Sequence, residues 1–200
     1  MARSSANTVL SDLWLQDAGA GRLAKRAALV ALGIGLLALA AKVKVPFWPV
    51  PMTLQTLAVV SIGAAYGLRL GAVTLLGYLA LGAAGADVFT GADSGGLAYM
   101  LGGTGGYLVG FLLATLAIGA LARRGWDRDP LRMAGAMLVG QIAIFVPGVL
   151  WLGHLFAAEQ GWAWVMEHGL LVFLPAEALK LAIAALLFPL LGFSARLGLL

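Results

Sequence analysis

The chain has 200 residues, 62% of them hydrophobic and 11% charged, with a net charge of +4 at pH 7 and a mean hydropathy of +0.96. Soluble domains run near one quarter charged, so this chain has too little polar surface to wrap a core in water, and its solvent is mostly lipid. It has no cysteine, which excludes disulfides and thiolate metal sites, and His154 and His168 alone do not make a metal centre.

Residues 1–22 form an N-terminal segment. Arg3 is followed by polar residues and not by an apolar run, which does not fit a cleaved signal. Leu10, Leu13 and Trp14 share one helical face and predict a short helix lying on the cytoplasmic surface.

Residues 23–200 read as one all-α, polytopic membrane domain. A helix needs about 20 apolar residues to cross the hydrocarbon. Leu23–Ala41 is the first candidate. The stretch KVKVPFWPVPM, Lys42–Met52, breaks it with three prolines and an aromatic pair suited to an interface. Thr53–Tyr66 is the second span and Leu70–Ala86 the third, after Gly67 and Arg69. The glycine-rich loop DVFTGADSGGLAYML occupies Asp87–Leu101. Thr104–Ala122 is the fourth span, RRGWDRDP a polar turn, Leu131–Gly153 the fifth span and Leu170–Leu191 the sixth.

Charge orients these six helices. Arg3, Arg22, Lys25, Arg26, Arg69, Arg123, Arg124, Arg128, Arg132 and Arg196 fall on one side. Lys42 and Lys44 fall on the other, and Lys180 lies within a span. Positive residues stay inside, which puts both termini in the cytoplasm. Read this way, the basic clusters are loop anchors and not a nucleic-acid surface. The loops around Lys42–Met52 and Asp87–Leu101 then lie outside. Their backbone groups need partners near a membrane, as a lid folded over a cavity or as solvated connectors.

Glu177 and Lys180 interrupt the last apolar run. A helix that began at Pro175 would leave both at a wet end. Against that, only Leu181–Leu191 remains apolar after Lys180, about 16 Å of helix against a core of about 30 Å. A spanning helix therefore immerses them, at about 2.5–3.5 kcal/mol for each charge. At i, i+3 they share a face. They form either a structural ion pair, a poor stabiliser of a buried site, or two poles that grip a polar ligand head.

Thr53 and Gln55 open the second span, and Gln141 lies in the fifth. The four tyrosines, Tyr99 and Tyr107 among them, and six tryptophans supply apolar walls with polar tips. Each is singly an anchor or packing residue; together with the charged pair they fit a largely apolar small-molecule pocket. Ala27, Ala31 and Gly35 line up at four-residue spacing on the first span, a face for packing within the bundle or for docking another membrane protein. Gly106 and Gly110 repeat the pattern in the fourth. GIGLLA, Gly33–Ala38, has dinucleotide-fingerprint letters but no preceding strand, and GGTGGYLVG, Gly102–Gly110, lacks the Lys-Ser/Thr ending of a phosphate loop. Nothing in the chain reads as a catalytic triad, a metal cluster or an ATPase site.

Three stretches together, VPMTLQTLAV from Val50, GGLAYMLGGTGGYLVGF from Gly95 and LPAEALKLAI from Leu174, resemble the BioY family of biotin-binding S components of energy-coupling-factor transporters. The resemblance runs from about the first span to the sixth. The chain departs from the family pattern at Gly103, where proline is usual, and at Glu177, where aspartate is usual; Lys180 matches. The resemblance implies a six-helix bundle in a bacterial or archaeal plasma membrane that takes up biotin from outside, with Glu177 and Lys180 as polar contacts. It implies that Gly91–Gly103, with Ser94 and Tyr99, and Pro46–Pro51 help to close the pocket. It further implies that the Ala27–Ala31–Gly35 face meets a transmembrane coupling subunit driven by two ATPase subunits. Whether the chain works with those partners or as a homo-oligomer stays open. Two other readings of the residues stand beside it: an S component for a different vitamin, and a membrane-embedded enzyme with Glu177 as general base.

Overall fold

The computed structural model describes residues 8–15, 18–46, 48–90 and 96–196. The described chain is helical: α1 (Leu10–Trp14), α2 (Gly19–Lys42), α3 (Gln55–Ala83), α4 (Gly96–Met100), α5 (Gly105–Arg123), α6 (Pro130–Gly169) and α7 (Leu174–Arg196). A two-residue hairpin joins α2 to α3, with β1 (Lys44–Val45) antiparallel to β2 (Met52–Thr53) and Lys44 opposite Thr53. Among the described residues, four stretches are long and apolar enough to cross a membrane: Gly19–Lys42, Gln55–Ala83, Gly105–Arg123 and Pro130–Leu191.

Two glycines turn long helices back on themselves. Gly67 has φ +69° and ψ −176°, a backbone state that side-chain-bearing residues avoid. A Cβ on Gly71 would lie 3.7 Å from the Ile62 carbonyl oxygen, whereas nine residues of unbroken helix rise about 13 Å. The arms of α3 therefore run back to back, and they correspond to the second and third expected spans. Gly161, at φ +80° and ψ 158°, does the same to α6. Its last turns fold back so that Gly169 meets Leu152 and Val149 of the long arm. The sequence reading ended this helix at Gly153 and did not foresee the return.

The final helix is a correction. It starts at Leu174 and not at Leu170, because Leu171–Phe173 is a separate 3₁₀ turn, and it runs on to Arg196. Glu177 sits in its first turn. The two charges are thus near a helix start, as the Pro175 alternative had it. Burial by other helices, not depth alone, keeps them from water.

α5 stands at the centre, packed on both α3 and α6. The close approach rests on glycine: a Cβ on Gly110 would lie 2.7 Å from the Ile144 backbone, and one on Gly106 would collide with the Pro147 carbonyl. In this chain that small-residue face is internal packing. The face of α2 differs. Its packed side is Gly33, Leu37, Ala40 and Ala41, while Ala27, Ala31 and Gly35 are exposed and nothing lies within 4 Å of a Cβ built on Gly35.

At the arginine-bearing end, α1 is strapped down by Asp12 on Arg123 (3.2 Å) and by the Ser11 hydroxyl donating to the Tyr66 carbonyl (3.4 Å). Its buried residues are Val9, Ser11 and Leu15, and Trp14 is 69% exposed, so Leu10, Leu13 and Trp14 do not form the packed face. At the opposite end the loops are tied in. Trp48 packs on Phe156 and Trp164 with ring centroids 5.8 and 5.5 Å apart. Lys42 pairs with Asp87 at 2.5 Å, and Trp151 donates to the Gly102 carbonyl at 2.8 Å. These ties fit a lid better than solvated connectors.

Candidate functional site

The site begins where β2 meets α3. The Thr53 hydroxyl accepts the Gln55 backbone N–H at 3.1 Å, a local turn that leads into the helix. The Thr53 carbonyl then faces α7. In α7, Pro175 suits the first turn, and a carboxylate at Glu177 is favoured by the positive end of the helix dipole. Lys180 lies three residues on, over the same face.

These residues close a hydrogen-bonded network in which one buried acceptor, Gln141 Oε1, is left without a partner among the described residues. The Lys180 ammonium donates to the Thr53 carbonyl (2.6 Å), the Thr56 hydroxyl (2.8 Å) and Glu177 Oε1 (2.6 Å). Three N–H groups thus meet three acceptors. The Thr56 hydroxyl passes its own proton to Glu177 Oε1 at 3.0 Å, and Gln141 Nε2 donates to Glu177 Oε2 at 2.6 Å. Glu177 is 5% exposed and Lys180 7%, so the charges lie inside protein and are held by one another. A second network lies beside the first. Gln55 Nε2 donates to the Tyr78 hydroxyl at 2.6 Å, which donates to the Val88 carbonyl at 2.9 Å. The Thr90 hydroxyl donates to Gln55 Oε1 at 3.3 Å.

Both networks border a small cavity of about 40 Å³ under the loop end. Thr53, Thr56, Gln55, Thr90 and Glu177 give it a polar side; Val50, Tyr99, Tyr107, Leu108, Phe111, Phe145 and Phe173 give it apolar walls. Tyr99 stacks on Phe89 at 4.9 Å, and the Tyr107 hydroxyl donates to the Gly169 carbonyl at 2.7 Å. A separate groove of about 660 Å³ opens sideways between α6 and α7, with Leu138, Ile142, Val146, Leu174 and Ala178 along it. Phe145 and Glu177 border both spaces.

Of the side chains expected from sequence, Thr53, Gln55, Tyr99, Tyr107 and Glu177 meet at the cavity. Lys180 stands one layer behind, holding Glu177 and Thr56. Gln141 reaches Glu177 from the lateral groove. Ser94 lies outside the described residues. Sequence reasoning missed Thr56 and Thr90; Tyr78, one of the four tyrosines grouped with the charged pair, lies behind the cavity wall. Thr56 was legible, as a third polar residue in TLQT beside Thr53 and Gln55. Thr90, brought in from a loop 35 residues away, gave no local signal. A Cβ at Gly103 would meet Pro49 and Leu152 at an ordinary 3.5–3.6 Å, so the chain's departure there is not forced by packing.

A helical bundle with a largely apolar cavity, polar on one side, beneath tied-down loops defines a multi-pass membrane protein built around a small-molecule pocket. The chain belongs to the BioY family, whose model matches residues 7–196. It is 35% identical over 164 residues to the probable biotin transporter BioY of Pyrococcus horikoshii, covering 82% of this chain and 94% of that one. It is 36% identical to the biotin transporter BioY2 of Lactococcus lactis, over 76% of this chain and 81% of the relative. Its fold matches the crystal structure of the S-component for biotin from an ECF-type ABC transporter, with a TM-score of 0.75 at 23% identity, covering 88% of this chain and 94% of that one. Membership of a transporter family sets aside the membrane-enzyme alternative.

Proposed function

We propose that this protein is the biotin-binding S component of an energy-coupling-factor transporter, capturing the vitamin at the outer face of a bacterial or archaeal plasma membrane. The observation that carries this is the buried Thr56–Glu177–Lys180 cluster at the polar side of the cavity. Six helices cross, with the arms of α3 counted separately, and both termini face the cytoplasm because the arginine-rich end stays inside. Residues 1–22 form the cytoplasmic segment and 23–200 the membrane domain.

Biotin carries a ureido group, an apolar bicycle and chain, and a carboxylate. Glu177 borders the cavity and Lys180 does not, so the geometry favours the ureido N–H groups at Glu177. A ligand carboxylate in that place would face like charge. Lys180 holds the Glu177 carboxylate and the Thr56 hydroxyl in place. The cavity is only about 40 Å³, so Tyr99, Tyr107, Phe145 and Phe173 take the apolar bicycle as Val50 and Pro51 on the loop side give way. Thr53, Gln55, Gln141 and Ser94 complete the set of substrate contacts or their supports. The exposed Ala27–Ala31–Gly35 face of α2 docks the coupling subunit, and two ATPase subunits supply the energy that this chain has no phosphate loop to provide.

Titration of the purified protein in nanodiscs with biotin and a panel of other vitamins tests the reading. Tight binding of biotin alone, lost in Glu177→Ala, is expected; selective binding of another vitamin would transfer the site to that ligand.

A further inference from the structure

Tyr78 is fully buried in the second arm of α3 and does not border the cavity. Its hydroxyl is nevertheless used twice, accepting from Gln55 at 2.6 Å and donating to the Val88 carbonyl at 2.9 Å. Three pieces of chain meet on this one phenol: the first arm of α3 through Gln55, the second arm through Tyr78 itself, and the segment Val88–Thr90 that follows. The ring is wedged edge-on against Phe89 at 5.4 Å, and Phe89 stacks on Tyr99, which does line the cavity. Gln55 and Thr90 are each 5% exposed and both line it.

A carboxamide has two N–H groups and two acceptor lone pairs. Tyr78 takes one donor of Gln55 and Thr90 one acceptor site. One N–H and one lone pair remain, and a urea group carries both the C=O and the N–H that they can pair with. With the amide pinned from both its nitrogen and its oxygen, no flip is open to it without burying unpaired polar atoms. We infer that Tyr78 is a positioning residue for ligand recognition: it fixes the Gln55 carboxamide in the cavity wall and locks the Val88–Thr90 segment beside it. This rests on the biotin-binding reading above and adds to it a residue that never touches the ligand.

The test is the biotin Kd of the full-length protein in nanodiscs for Tyr78→Phe, Gln55→Ala and the two combined. Tyr78→Phe should weaken binding about tenfold, from one lost buried hydrogen-bond node. In the combined variant the loss should fall well short of the product of the single losses, because one residue acts through the other. Wild-type Kd in Tyr78→Phe, or losses that multiply, overturns the inference; a merely packing role would lower the melting temperature and leave Kd unmoved. Should Tyr78→Phe fail to fold, Thr90→Val, which frees the other end of the same amide, carries the same cycle with Gln55→Ala. A Glu177→Gln/Lys180→Met variant measured alongside separates the two claims. Binding retained there removes the biotin site itself, whereas binding lost there with Tyr78→Phe at wild-type affinity removes only the role of Tyr78.

Discussion

Replacing Lys180 by methionine leaves Glu177 as a carboxylate at 5% exposure, held by Thr56 and Gln141 but without its ammonium partner. Breaking a buried pair from one side costs about 3–5 kcal/mol, because an uncompensated charge stays behind. For a chain of this size, each kcal/mol moves the melting temperature by about 2–4 °C, so Lys180→Met should melt roughly 10 °C below wild type. Adding Glu177→Gln removes the stranded charge and keeps hydrogen-bonding groups near Thr56 and Gln141. Replacing both members of a buried pair is often neutral or better, so most of the lost stability should return. Ligand binding should not return, because the charged acceptor at the cavity wall is gone. Thermal melting in nanodiscs reads the first quantity and biotin titration the second. A double variant that melts like wild type and binds biotin like wild type would refute the reasoning, since the pair would then be structural and nothing more.

Trp48→Ala removes two ring contacts that tie the β1–β2 loop to α6, each worth about 0.5–1.5 kcal/mol; biotin should dissociate at least several-fold faster in a stopped-flow chase, and an unchanged rate would return the loop to a passive connector. Gly110→Val forces a side chain against the Ile144 backbone and should destabilise the bundle by about 1–3 kcal/mol or more, read as poor yield and a lower melting temperature, whereas Gly35→Ala meets open space and should melt like wild type. Ala31→Trp on the exposed face of α2 should leave biotin affinity intact while abolishing co-purification with a coupling subunit; retained co-purification would move the docking face elsewhere. Saturating biotin at a hundred times its Kd should stabilise wild type by about 2.7 kcal/mol, visible as a rise in melting temperature, and should not stabilise the Glu177→Gln/Lys180→Met variant.

The helices were legible because lipid imposes a simple rule on composition and length. Thr53–Tyr66 looked too short to be a full span, yet Gly67 made sense of it as one arm of a tight reversal. The fold-back after Gly161 was not legible, since GWAWVMEHG carries no proline and no turn pair, and its place is set by Gly169 meeting Leu152 and Tyr107 from other parts of the chain. Glu177 and Lys180 stood out because charge in an apolar run is costly wherever it lies. Their enclosure by Thr53, Thr56 and Gln141 is a tertiary feature that no spacing within the last helix announces. Contacts between loops, such as Thr90 on Gln55, leave no periodic trace in a sequence.

Native mass spectrometry of the protein taken directly from membranes bears most directly on the claim that a buried carboxylate and ammonium are kept to hold biotin. A single bound molecule with the mass of biotin, absent from the Glu177→Gln/Lys180→Met variant, is the predicted result. Biotin retained equally by that variant, or a different vitamin in its place, would contradict it.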